Sequence, residues 1–166
     1  MTGPIPAPLT TSPRLQDLVS WDSNWAGLRV VVTGIGVSGF AAADTLIELG
    51  ARVVVVDAAT GPTAQAQADT LRIVGAADVL LGEDAVDTVP KIDGAKPDLI
   101  VTSPGWRPDQ ALLAAAARAH IPVWGDVELA WRLHERQGRK TADWLTITGT
   151  NGKTTTVGLT ESMLQA

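Results

Sequence analysis

The sequence predicts an α/β protein: a doubly wound parallel sheet, followed by the opening strand, loop and helix of a second nucleotide-binding unit. Three observations predict it. Short β-branched runs such as RVVVT (29–33), RVVVVD (52–57) and DLIVT (98–102) read as strands buried on both faces. Between them lie helical stretches of about a dozen residues, the spacing of βαβ units. Two of the strand-to-helix junctions, GIGVSG (34–39) and GTNGKT (149–154), are rich in glycine.

The elements follow in order. Residues 1–26 carry Pro4, Pro6, Pro8 and Pro13 and predict a mostly mobile leader, with Leu15, Leu18, Val19, Trp21 and Trp25 able to anchor one short turn. The first strand is 29–33. The helix 38–49 sets Phe40, Ala43, Leu46, Ile47 and Leu49 at helical spacing, and Gly50 ends it. Strand 52–57, helix 63–74 with Gly75 as its stop, and strand 78–81 come next. Residues 83–97 are a weakly patterned connection. Strand 98–102, the alanine-rich helix 109–120 and a short strand 122–124 complete the first unit. Right-handed crossovers follow from chain chirality. The pattern restarts after Gly125 with a helix at 126–136, a polar connection at 137–143, a strand at 144–148 (WLTIT) and a helix from Lys153. This divides the chain into a leader (1–27), a sheet domain (28–124) and the start of a second domain (125–166). Trp124 and Trp131 are placed at the junction, His134 at a surface or interface, and His120 at a helix C-terminus, where its charge suits the dipole.

Composition removes several function classes. The net charge is −5 and no run of Lys or Arg stands out, which argues against a nucleic-acid surface. There are no cysteines, so disulfides, Cys-zinc sites and cysteine nucleophiles are excluded. The N-terminus lacks the charged start and unbroken apolar core of a signal peptide. No apolar run reaches the ~18–20 residues of a membrane span. The expectation is a cytoplasmic protein with no membrane partner.

GIGVSG is a full G-x-G-x-x-G between a strand and a helix, the Rossmann-like arrangement. Gly34 permits the turn, Gly36 lets a diphosphate approach the backbone, and Gly39 allows close packing of helix on strand. The helix N-terminus offers free amides to an anion. Asp57, eighteen residues past Gly39, closes the second strand, where an acid meets ribose hydroxyls in dinucleotide sites. The plainer alternative is a tight turn with Asp57 capping a strand end. At the second loop, Gly149, Thr150, Asn151, Gly152, Lys153, Thr154 and Thr155 form a shortened P-loop, with Ile147 where the usual first glycine would fall. Its amides can wrap ATP phosphates, Lys153 can neutralise their charge, and Thr154 can hold Mg²⁺. A dehydrogenase needs only the first cradle, and an ATPase only the second. Two cradles suggest a reaction between ATP and a substrate that itself carries a nucleotide diphosphate.

The ordered set VVVTGIGVSGFA (30–41), VVVVD (53–57), TSPG (102–105), WGDVELA (124–130) and TGTNGKTTT (148–156) resembles the Mur ligases. The related folylpolyglutamate synthases share the short loop but lack the preceding glycine-loop domain. Within the family the pattern is most similar to the D-glutamate-adding branch. The L-alanine-adding branch and an NAD(P)-binding Rossmann protein stay open as alternatives. The resemblance implies an ADP-forming, amide-forming ligase of cytoplasmic peptidoglycan synthesis, monomeric when complete, whose substrates are UDP-N-acetylmuramoyl-L-alanine and D-glutamate. It implies that Gly36, Val37 and Ser38 contact the uridine diphosphate and that Asp57 and Ala58 lie at the uracil. Gly82 and Ser103 would lie at the ligand, and Asn151 would reach back to the UDP-sugar. Gly149 to Thr155 would hold ATP, with Lys153 as the catalytic cation and Thr154 towards Mg²⁺. Family members often carry a hydroxyl and a basic side chain after the acid, where this sequence has Ala58-Ala59. Trp106, after SPG, is a further candidate for ligand contact, whereas Glu128 reads more simply as a helix-start charge. The D-glutamate site lies outside this sequence. The expectation is that the chain is a truncated piece, inactive alone, whose tail packs on the first domain through Trp131 and Trp144 or pairs with another copy.

Overall fold

The computed structural model describes residues 12–165. The proline-rich stretch 1–11, expected to be mobile, lies outside the described residues. A five-stranded, all-parallel sheet forms the centre: β1 (Arg29–Thr33), β2 (Arg52–Asp57), β3 (Asp78–Leu81), β4 (Leu99–Thr102) and β5 (Val123–Gly125), in the spatial order β3-β2-β1-β4-β5. β1 is central, with Val31 level with Val54 on one side and Ile100 on the other. The chain leaves β1 in one direction to build β2 and β3, then returns to its other side for β4 and β5. The C-terminal ends of β1 and β4 therefore flank the switch point of a doubly wound sheet, where ligands bind in such folds.

Because successive strand residues face opposite sides, the two cores separate by parity. Val30, Val32, Val53, Val55, Leu99 and Val101 face α2 (Val37–Glu48), α3 (Pro62–Val74) and α5 (Asp126–Leu133). Val31, Val54, Val56 and Ile100 face α4 (Ala111–Arg118) and Ile92. The weakly patterned stretch 83–97 thus has structure. A 3-10 turn covers Glu83–Val86, and a tight reversal at Asp93-Gly94 pairs Ile92 with Ala95, so that Ile92 plugs the second core.

At the end of the sheet remote from the switch point, Arg29 grips Asp98 three ways. Its amide and Nε donate to Oδ2, each at 3.0 Å, and Nη2 donates to Oδ1 at 2.6 Å. The guanidinium holds the Asp98 carboxyl below the ordinary carboxylate range. This pair locks β1 against β4 at their starts.

Two expectations need correction. The anchored turn expected of Leu15, Leu18, Val19, Trp21 and Trp25 is present, but it extends into a longer strap from residue 12 onward. A short helix, α1 (Pro13–Gln16), and the following turn bury Leu15, Leu18 and Trp25 against the α2/α5 core, while Val19 stays exposed. Arg132 of α5 secures this strap. Its Nη1 donates to the Leu15 carbonyl (3.1 Å) and the Leu18 carbonyl (2.9 Å), its Nε donates to Glu128 (2.8 Å), and its guanidinium lies 4.2 Å from the Trp124 ring centre. Trp124 meets Trp25 edge to face, and the Trp21 amide donates to the Glu135 carbonyl. The guanidinium saturates carbonyls left open at the end of α1, a need that no pattern in α5 announces.

The second correction concerns 144–148, which forms no strand. A strand exists only by pairing its backbone with a neighbour, and no strand among the described residues lies beside WLTIT. Trp144 instead meets Trp131 edge to face, beside the ring stack of Trp131 on His134. α5 also ends at Leu133, three residues earlier than its pattern suggests. α6 (Lys153–Gln165) buries none of its residues.

Candidate functional site

β1 runs straight into the glycine loop. Gly34 has φ +95°, in the left-handed region, and turns the chain so that its amide donates to the Val56 carbonyl (2.8 Å). The chain then enters α2, capped by the extended Gly36 with no side-chain partner, which leaves the amides of the first turn free. Gly39 passes so close to Gly34 that a Cβ there would stand 1.9 Å from the Gly34 carbonyl oxygen. Asp57, at the end of β2, ties this loop to the next: Oδ2 accepts from the Ile35 amide (2.7 Å) and Oδ1 from the Ala59 amide (2.8 Å).

Across the switch point, β4 ends in a turn closed by the Trp106 amide donating to the Ser103 carbonyl (3.1 Å). Thr33 and Thr102 join the two strand ends through their hydroxyls (2.9 Å). A cavity of about 360 Å³ opens between the two loops. Gly34, Gly36, Val37, Ser38 and Gly39 line one wall, Asp57 sits at its side, and Ser103 to Trp106 line the other. The Ser103 Oγ is buried without a hydrogen-bond partner.

The structure therefore brings Gly36, Val37, Ser38, Asp57 and Ser103 together, and adds Trp106. Ala58 follows Asp57 at the edge without lining the cavity. Gly82 ends β3 and donates its amide to the Asp57 carbonyl (2.9 Å), which supports that strand end rather than the crevice. Asn151 is exposed on the second loop and does not line the crevice.

The second loop is an open arc. Among the described residues, the amides of Thr150 to Thr155 have no hydrogen-bond partner, and the Lys153 Nζ donates to the Gly149 carbonyl at 2.5 Å. The Thr154 hydroxyl is likewise without a partner, whereas Thr156 spends its own on the Gly152 carbonyl. A run of free amides with one cation has the donors a polyphosphate would need, and the free hydroxyl could give a phosphate-bound Mg²⁺ one oxygen ligand. No group of three or more His, Asp or Glu among the described residues can hold a metal by itself. No helix among them is long and apolar enough to cross a membrane.

Strand order, glycine loop and switch-point crevice define the first unit as a Rossmann-like fold. Comparison with known proteins narrows the class. The chain belongs to the Mur ligase family: the family described as "Mur ligase MurD-like, N-terminal domain" matches residues 28–125. Relatives named UDP-N-acetylmuramoylalanine--D-glutamate ligase align along most of the chain. The protein from Leifsonia xyli subsp. xyli is 49% identical over 158 residues, covering 92% of this chain and 30% of the relative. That from Streptomyces coelicolor is 51% identical over 144 residues, covering 87% and 29%. That from Tropheryma whipplei (strain Twist) is 42% identical over 152 residues, covering 91% and 29%. The chain thus spans about three-tenths of the length of these relatives. A solved 5-ketofructose reductase from Gluconobacter aligns with 67% of this chain and 50% of its own at 15% identity and a TM-score of 0.39, too slight a likeness to carry an argument.

Proposed function

We propose that this chain is the substrate-nucleotide-binding part, with the ATP phosphate loop, of a cytoplasmic ligase that joins D-glutamate to UDP-N-acetylmuramoyl-L-alanine. The observation that carries the reading is the pairing of two phosphate-sized cradles in one chain, in a sequence about half identical to ligases of that name. A carboxylate is a poor electrophile with a poor leaving group. Bound ATP with Mg²⁺ would supply the phosphoryl group that activates the alanyl carboxylate, and the amine of D-glutamate would then displace phosphate to leave the amide and ADP.

The chain's own residues position and screen. The amides of Gly36, Val37 and Ser38 would take the uridine diphosphate at the start of α2. Asp57 holds the glycine loop in shape through Ile35 and presents remaining lone pairs, with the Ala58 backbone, to the uridine side. Ser103 faces them across the crevice. Gly82 would act only through the strand end it supports. In the second loop, the amides from Gly149 to Thr155 would wrap the ATP phosphates, and Asn151 would reach the UDP-sugar once the two units close on each other. Lys153 would leave the Gly149 carbonyl for the phosphates and offset the charge gathered in phosphoryl transfer. Thr154 would give Mg²⁺ its protein oxygen. D-Glutamate would bind outside this chain.

Titration tests the reading. UDP should perturb the amide resonances of residues 34–39 and 57–59, and NAD⁺ and NADP⁺ should not. Comparable binding of NAD(P)⁺ at that loop would favour a dinucleotide enzyme and overturn the proposal.

A further inference from the structure

The two walls of the switch-point crevice differ in what they offer a nucleoside. On the β2 side, Asp57 already accepts two backbone amides, and the next two side chains, Ala58 and Ala59, are single methyl groups. Nothing there presents a flat surface. On the β4 side stands Trp106, the one aromatic residue lining the cavity. Its indole Nε1 lies 3.2 Å from where a Gly34 Cβ would be, so the nitrogen edge of the ring reaches the base of the glycine loop. That N–H has no partner among the described residues, and the Ser103 hydroxyl beside it is a second donor without an acceptor. Trp106 also packs against the second core, the cluster that holds Ile100 and Leu112, and its own backbone turn ties it to Ser103. The residue is therefore held by core packing while it stays half-buried at the cavity.

We infer that Trp106 is the base-binding platform of this crevice, a specificity-determining residue that takes the nucleobase of a nucleoside diphosphate against its indole while Ser103 donates to the ligand's polar edge. The inference rests on the nucleoside-diphosphate reading of the site and adds to it which residue recognises the base. Three facts converge on it. A base needs a flat apolar partner, and only Trp106 supplies one. The ring is pre-ordered by core packing, so little side-chain freedom is lost on binding. Two unspent donors sit at its edge in a site whose opposite wall offers free amides to phosphate.

Calorimetric titration of the chain with UDP and, separately, with inorganic pyrophosphate separates base from phosphate recognition. Trp106→Ala should weaken UDP by about tenfold or more, in line with the usual loss of one stacked base, and leave pyrophosphate within twofold. Trp106→Phe, which keeps a flat ring and guards against misfolding, should retain most UDP affinity. Either of two results overturns the inference: UDP affinity of Trp106→Ala within twofold of the parent, or equal weakening of UDP and pyrophosphate, which would make Trp106 a support for the loop. A parent chain that binds neither UDP nor pyrophosphate, or prefers NAD⁺, refutes the reading of the crevice itself and the inference with it.

Discussion

Replacing Gly39 by alanine should destabilise the fold, against the ordinary preference of a helix for alanine. A Cβ at Gly39 would stand 1.9 Å from the Gly34 oxygen, 2.7 Å from its carbonyl carbon and 2.9 Å from the Ser103 Oγ. Ordinary contact begins near 3.4 Å, so the loop and α2 must part by about 1.5 Å. Neither side can yield cheaply. Gly34 is tied to the Val56 carbonyl, and the first turn of α2 is closed by the Phe40 amide on the Gly36 carbonyl, each at 2.8 Å. Forcing a methyl into such a place costs about 1–3 kcal/mol and more where backbone must move, while alanine returns about 1 kcal/mol of helix propensity. Since it is backbone that must move, the cost lies at the upper end or above, and the net loss is about 2 kcal/mol or more, a fall in melting temperature of roughly 4–8 °C for a chain of this size. Gly36→Ala is the control. It has ordinary φ and open space where its Cβ would go, so stability should change by less than about 0.5 kcal/mol. UDP affinity should nonetheless fall, because that methyl projects into the crevice. Thermal melts of both variants decide the matter. A Gly39→Ala protein that melts at or above the parent would show that the loop–helix approach is not the tight contact argued here.

Three further outcomes follow from the same geometry. Arg132→Ala removes two carbonyl contacts, an ion pair and the Trp124 stack, and should cost about 2–3 kcal/mol in chemical denaturation; a midpoint equal to the parent's would mean the strap is held by apolar contacts alone. Asp98→Asn should cost about 1–2 kcal/mol at neutral pH. Because the folded carboxyl titrates below its unfolded value of roughly 3.9, that stability is present above about pH 4 and fades as acid protonates the folded form, so urea melts of parent and variant should converge at low pH. In a ligase of the relatives' full length carrying this sequence, Lys153→Ala should lower turnover by roughly a hundredfold or more with UDP affinity unchanged; retention of more than a tenth of the activity would remove Lys153 from phosphoryl transfer.

The parts of the fold legible in the sequence are those that local pattern alone determines. The valine-rich runs at 29–33 and 52–57 can be buried on both faces only in a covered parallel sheet, and both are strands. The glycine spacing likewise placed the loop between β1 and α2 and set Asp57 beside it. What failed to show depends on partners far away in sequence. WLTIT has strand composition, yet composition cannot provide the neighbour a strand needs. Leu15, Leu18 and Trp25 read as anchors of a short turn but not what they anchor to, because the guanidinium that fastens the turn comes from residue 132. Trp106 was visible as a candidate only through its position after SPG. Its place in the crevice comes from the turn on Ser103 and from packing against the second core, neither of which leaves a periodic trace.

The clasp between the strap and Arg132 joins residues 114 and 117 positions apart. During synthesis the strap leaves the ribosome more than a hundred residues ahead of its anchor. Leu15, Leu18 and Trp25 therefore spend nearly the whole translation of the domain without their final partner, and β1 to β4 can assemble before the clasp closes. Docking of the N-terminal strap is thus a late folding event, one that reports that α5 has arrived.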